Sequence, residues 1–157
     1  MSYCIDTNCL IDLENLYPSD IFSALWDSIN EIVGKKDIFS VKDVFKELKE
    51  THDDEDPVLQ RWKVQDGFFV ESGNAELELL TKIMNDSQFE VFRNHAPDKG
   101  TWADPHLIAC AESRNAIVVT NETLNNKPQR KIPYVCEAVN VDYLSLLNMM
   151  RHLNWTF

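Results

Sequence analysis

The chain is short of three things that would each define a class of protein. Charge interrupts every hydrophobic stretch well before the roughly 20 residues that span a bilayer, and the sequence does not open on a basic segment followed by an apolar core. A membrane span and a secretory leader are therefore not expected, and the chain reads as a soluble, cytoplasmic protein with no membrane association. Cysteine is sparse: Cys4, Cys9, Cys110 and Cys136 lie in apolar runs, without close CxxC pairs or neighbouring histidines. That spacing disfavours both a disulfide framework and a zinc site, and buried free thiols are expected. Positive charge is also scarce, 15 Lys and Arg against 26 Asp and Glu for a formal net charge of -11. This opposes nucleic-acid binding, because affinity for a phosphate backbone comes mainly from basic residues. The one dense basic stretch, Lys127 to Lys131 (KPQRK), reads either as a phosphate contact or as a solvated loop.

What is present is enough apolar material for one core. With 157 residues, 44% of them hydrophobic, a single domain spanning 1–157 is expected. Tyr3-Cys4-Ile5 is an apolar run ending in Asp6-Thr7-Asn8, after which Leu10, Ile11, Leu13 and Leu16 recur at helical spacing up to Pro18. Ser19-Asp20 is expected to cap a second helix, with Ile21, Phe22, Leu25, Trp26, Ile29, Ile32 and Val33 as its apolar stripe. A strand at Ile38-Phe39-Ser40 and a helix over 41–50 follow. The charge run 52–57 (HDDEDP) reads as a solvated turn, and 75–93 as a long helix capped by Asn74, so the middle of the chain, about 52–100, is expected to be a helical insertion. Asp104-Pro105 opens a helix to Asn115, aspartate as cap and proline in the first turn. Ala116 to Val119 reads as a strand buried on both faces, two more strands are expected at 133–136 and 138–141, and a final helix carries Tyr143, Leu144, Leu146, Leu147, Met149, Met150 and Leu153. Strands alternating with helices imply a three-layer α/β/α fold around a mainly parallel sheet. The last helix is expected to cover that sheet, or to make a homodimer contact.

Ligands of an open parallel sheet bind outside the carboxyl ends of its strands. Asp6 ends the first strand, Glu122 follows the strand 116–119, and Glu47 lies within two turns of the second strand's end. Asp104 reaches the same edge only if the long loop before it carries it there. Converging carboxylates repel and raise one another's pKa unless a cation is present. All-oxygen ligands suit Mg²⁺ or Mn²⁺, and hydrolysis of a phosphodiester is the natural chemistry. Each acid also has a plainer role: Asp6 and Asp104 as caps, Glu47 as an exposed helix residue, Glu122 as a turn residue. Asn8 and Thr120 either support the acids or belong to turns. The histidines show no ligand spacing, and the tryptophans read as core or rim, with Trp102 nearest the cleft.

In chain order, these residues resemble the PIN-domain nucleases. The similarity rests on Tyr3 to Asn8 with Leu10-Ile11-Asp12, on Val44 to Leu48, on Ala103 to Ala111, and on Val118 to Glu122. The resemblance implies that Asp6, Glu47 and Asp104 hold Mg²⁺ or Mn²⁺, with Glu122 assisting, to cleave RNA. It further implies a toxin of the toxin–antitoxin kind, silenced by a cognate antitoxin. Glutamate replaces the commoner aspartate at the fourth position, and the middle region is longer than in the simplest members. Two other readings stand beside it. In a haloacid-dehalogenase-like phosphatase Asp6 would be a nucleophile, but Asn8 stands where a general acid is needed. A non-catalytic PIN-like binding module would spend its acidity on a basic partner.

Overall fold

A computed structural model describes residues 1–157, and its centre is a strand of three residues. β1 (Tyr3–Ile5) is buried at every position and hydrogen-bonded on both sides, to β2 (Ile38–Val41) and β4 (Ile117–Val119). β3 (Phe69–Val70) lies outside β2 and β5 (Tyr143–Leu144) outside β4, giving the order β3-β2-β1-β4-β5 with every pairing parallel. The register Ile5↔Val119 and Val119↔Leu144 brings the carboxyl ends of β1, β4 and β5 to one line. Near-continuous apolar strands are what a parallel sheet covered on both faces requires.

The crossovers supply the two outer layers. α1 (Thr7–Leu16), α2 (Ser23–Gly34), α3 (Lys42–Thr51) and α4 (Pro57–Lys63) connect β1 through β2 to β3, while α5 (Leu77–Asn85), α6 (Glu90–Asn94), α7 (Asp104–Ser113) and α8 (Ile132–Ala138) serve the return to β4 and β5. Because parallel crossovers are right-handed, reversing the direction of strand addition puts the second set on the opposite face. The helices pack accordingly: α1, α3 and α4 against one another, and α7 against α5, α8 and strands β1, β2 and β4. The fold is thus three-layer α/β/α, as expected, with α9 (Leu146–His152) closing the chain. One core cluster of 38 buried residues runs through it, including Leu10, Val44, Leu48, Leu107, Val118 and Met149. All four cysteines are buried and free, and no helix is long and apolar enough to cross a membrane.

Several expected elements are corrected. The strand expected at 133–136 is replaced by α8, and the one expected at 138–141 by the end of that helix and a turn at 139–140. Pro133 occupies the first turn of α8, where a missing amide costs nothing, and Ile132, Val135 and Cys136 make a helical rather than alternating stripe. The strand instead forms at Tyr143–Leu144, residues expected in the last helix. The middle region is not purely helical, since it contributes β3. Its long helix breaks at Asp86, which turns extended and accepts the Gln88 amide at 3.0 Å, and Asn74 does not cap it; the Glu76 carboxylate accepts the Gly73 amide at 2.7 Å instead. α2 begins only at Ser23, without a side-chain cap, leaving Ile21 70% exposed and off the apolar stripe.

The layer that carries the core from sheet to helix is testable at Leu107, which has no exposed surface. Leu107→Ala is expected to cost about 2–5 kcal/mol, read from the urea midpoint; a loss below about 1 kcal/mol would show that this helix face does not pack as described.

Candidate active site

The strand order reverses between β1 and β4, because β2 and β3 add to one side of β1 and β4 and β5 to the other. A crevice at the carboxyl ends of such neighbours is where open parallel sheets bind ligands. Asp6 enters it first. Its amide donates to the Val119 carbonyl at 2.9 Å, which continues the β1–β4 ladder, and its residue is 3% exposed. Asp6 occupies the cap position of α1, yet its carboxylate does not cap that helix. Its Oδ2 accepts instead from the hydroxyl of Thr120 at 3.1 Å. Thr120, buried just after β4, also accepts the Glu122 amide at 3.2 Å, so one hydroxyl joins the two chain segments. Glu122 Oε2 accepts the Ile132 amide at 2.6 Å, at the start of α8, and its residue is half-buried.

Asp104 arrives by a route the sequence did not reveal. Two carboxylates spaced three residues apart on one face of α3 catch the loop that precedes it. Glu50 accepts from the amide and hydroxyl of Thr101 at 2.8 and 2.6 Å. Glu47 Oε1 accepts the Ala103 amide at 2.7 Å, while its Oε2 accepts the Thr7 hydroxyl at 2.7 Å. Glu47 therefore ties the turn after β1 to the entry of α7. Gly100 makes the approach possible: its φ is +88°, and a side chain there would meet the Glu50 carboxylate at 2.8 Å. Asp104 is the first residue of α7 rather than its cap, which is Ala103, so the capping role expected of it is not realised.

Burial and mutual repulsion shape the electrostatics. Asp6 is pushed up to about 7, first by burial and then by the charges of Glu122 and Glu47, against the lowering effect of the Thr120 hydroxyl. Asp104 is held well above the usual carboxylate range by burial and by Asp6, Glu122 and Glu47, while the Trp102 side chain lowers it. Asp6, Glu47, Asp104 and Glu122, drawn from four separate stretches of the chain, are thus brought together. Asn8, beside Thr7 on α1, is exposed and joins none of these hydrogen bonds. Three participants were missed: Thr7, Glu50 and Asn121. The Asn121 side chain donates to Asp12 at 2.8 Å and accepts the Leu146 amide at 3.0 Å, pinning the site to α1 and α9. The spacing of Glu47 and Glu50 was the one available signal.

The donor set fits a hard cation, which takes oxygen ligands and is favoured wherever carboxylates are held against their own repulsion. No group of three or more His, Cys, Asp or Glu side chains is placed to hold a metal ion, so an ion here would rest on one or two carboxylates and keep most of its waters. Fold and site together define a doubly wound parallel α/β protein with a cluster of acids at its switch point. Over residues 3–157 the chain matches the family described as Domain of unknown function (DUF4411), and it belongs to that family. No curated protein matches the sequence.

The raised pKa of Asp6 has a defined effect on stability. The folded chain holds a proton there that the unfolded chain releases near 3.8, so stability is greatest below that value and falls as pH rises towards about 7. The displacement corresponds to roughly 4 kcal/mol. Without metal, the chain is expected to melt at higher temperature at pH 5 than at pH 8, and Asp6→Asn to flatten that dependence. Equal slopes in the two proteins would remove the strain from Asp6.

Proposed function

We propose that this chain is a metal-dependent endoribonuclease of the PIN-like kind, hydrolysing RNA phosphodiester bonds at the Asp6, Glu47, Asp104 and Glu122 crevice. The observation that carries the reading is the gathering of these acids at the switch point, with Asp6 and Asp104 both displaced upward by burial and by their neighbours. Asp6 and Asp104 are the residues that would hold Mg²⁺ or Mn²⁺, with Glu47 and Glu122 beside them. The bound ion would offset the charge facing a phosphate, polarise a phosphoryl oxygen and acidify a water.

The chain's own side chains have separate tasks in this reading. Thr120 fixes the orientation of Asp6 through Oδ2. Glu47, held through both oxygens by Thr7 and Ala103, positions the two aspartates relative to each other and keeps lone pairs for a further contact. Glu122 has one oxygen on the Ile132 amide and the other without a partner, available to take a proton from the attacking water. In keeping with the PIN resemblance, the chain acts in the cytoplasm as the toxin of a toxin–antitoxin pair, and a cognate antitoxin shields the crevice.

Incubation of a mixed pool of structured RNA with the purified chain and Mn²⁺ tests the activity directly. Cutting is expected with metal, none with EDTA, and a drop of about 100-fold or more in Asp104→Asn purified identically. A wild-type protein that is folded and binds Mn²⁺ but leaves every RNA intact, or an Asp104→Asn variant as fast as wild type, would count against the proposal.

A further inference from the structure

We infer that the groove between α6 and the loop carrying Lys127, Arg130 and Lys131 seats a single-stranded stretch of RNA beside the acidic crevice, an inference that rests on the nuclease reading above. Two adjoining cavities of about 330 and 280 Å³ share Val91 and Arg130 and extend to Asn94, His95, Lys127 and Gln129. No carboxylate lines either of them, in a chain with 26 acidic residues. Lys127 and Arg130 line the groove, Lys131 follows Arg130 in the chain, and all three are uncommitted. The ion pairs of the molecule are Lys35–Glu31, Lys42–Glu71, Arg61–Glu14 and the long His106–Asp43 contact, and none involves Lys127, Arg130 or Lys131.

The groove's position follows from the loop's anchorage. The segment leaves at Glu122 and returns to Ile132, whose amide is bonded to the Glu122 carboxylate at 2.6 Å. Both ends are therefore fixed at the crevice, and Lys131 lies one residue from that bond. Asn126 and Lys127 both hold left-handed backbone, with φ of 52° and 50°, an uncommon conformation for consecutive residues that are not glycine. Such conformations persist where the surroundings impose them, often at functional sites. Guanidinium and ammonium groups match phosphate oxygens. The 41% exposed Val91 and the neighbouring His95 ring offer the apolar and aromatic surface on which an unpaired base stacks. A duplex hides its base faces, so a single strand is the better occupant.

The test separates groove from chemistry. In an Asp104→Asn background, affinity for a labelled single-stranded oligoribonucleotide is measured with Mn²⁺ at several salt concentrations, with and without Lys127→Ala, Arg130→Ala and Lys131→Ala together. In the active background, the same triple substitution is followed by KM and kcat. The expected result is at least a tenfold weaker Kd, a dependence of log K on log salt flatter by about 0.7 for each phosphate no longer neutralised, and a raised KM with kcat nearly unchanged. Arg130→Lys is expected to stay within about threefold of its parent, and equal melting temperatures check the fold. Active wild type with an unchanged Kd, salt slope and KM in the triple variant would overturn the groove and leave the nuclease standing. RNA held through these cations by a chain that cuts nothing would support the groove and sink the nuclease. Absence of RNA binding, or poly-aspartate bound in its place, would overturn the groove assignment.

Discussion

The interaction on which this structure turns is an unfavourable one: carboxylates from distant parts of the chain are held close together at the junction of β1 and β4. Left to themselves, Asp6, Glu47, Asp104 and Glu122 would separate into solvent. The sheet prevents this. Asp6 has no freedom to leave, because its amide completes the ladder to Val119 and its carboxylate is bonded to the buried Thr120 hydroxyl. The core that stabilises β1, with Leu107, Val118 and Leu10 packed around it, offsets the repulsion at its end. Stability is thus given up to hold a charged, partly desolvated crevice in place, as is usual where a fold prepares a site for a ligand.

Acidic side chains also build the scaffold around this crevice. Glu47 and Glu50 reach from one face of α3 to the backbone of the 101–103 segment, and Glu122 reaches to the start of α8. Carboxylates that accept backbone amides are partly satisfied without counter-cations. Two of the donors, Thr7 and Ala103, adjoin Asp6 and Asp104 in the chain, so the bonds that satisfy Glu47 also place its neighbours. This explains how so acidic a chain assembles a local site: the acids serve as acceptors for loop amides as well as charges. Lys127, Arg130 and Lys131, on the segment that joins Glu122 to α8, stand outside any ion pair.

Much of this was legible in the sequence where local chemistry and periodicity agree. The run Tyr3-Cys4-Ile5 ending at Asp6, the β-branched Ile117 to Val119, and the helices at Thr7–Leu16 and Asp104–Ser113 all formed near their expected limits. Illegible were features that depend on tertiary contact. A strand was expected at 133–136, but a proline in a first turn and a buried helical face prevailed. Tyr143 and Leu144 formed a strand only because Val119 offered them an open edge. At the site, Asp6 and Glu122 could be placed from the ends of strands, whereas the delivery of Asp104 required Glu50, Thr101 and Gly100 to meet across some 50 residues of sequence.

The central claim is that the crevice is a cluster of carboxylates under strain, relieved by a divalent cation. Calorimetric titration of the metal-free chain with Mn²⁺ near pH 6.5, in buffers of different ionisation enthalpy, tests it most directly. Because Asp6 and Asp104 are both raised, binding is predicted to release protons, on the order of one per ion, and Asp6→Asn to reduce that release. Absence of binding, or binding without proton release that Asp6→Asn leaves unchanged, would contradict the account.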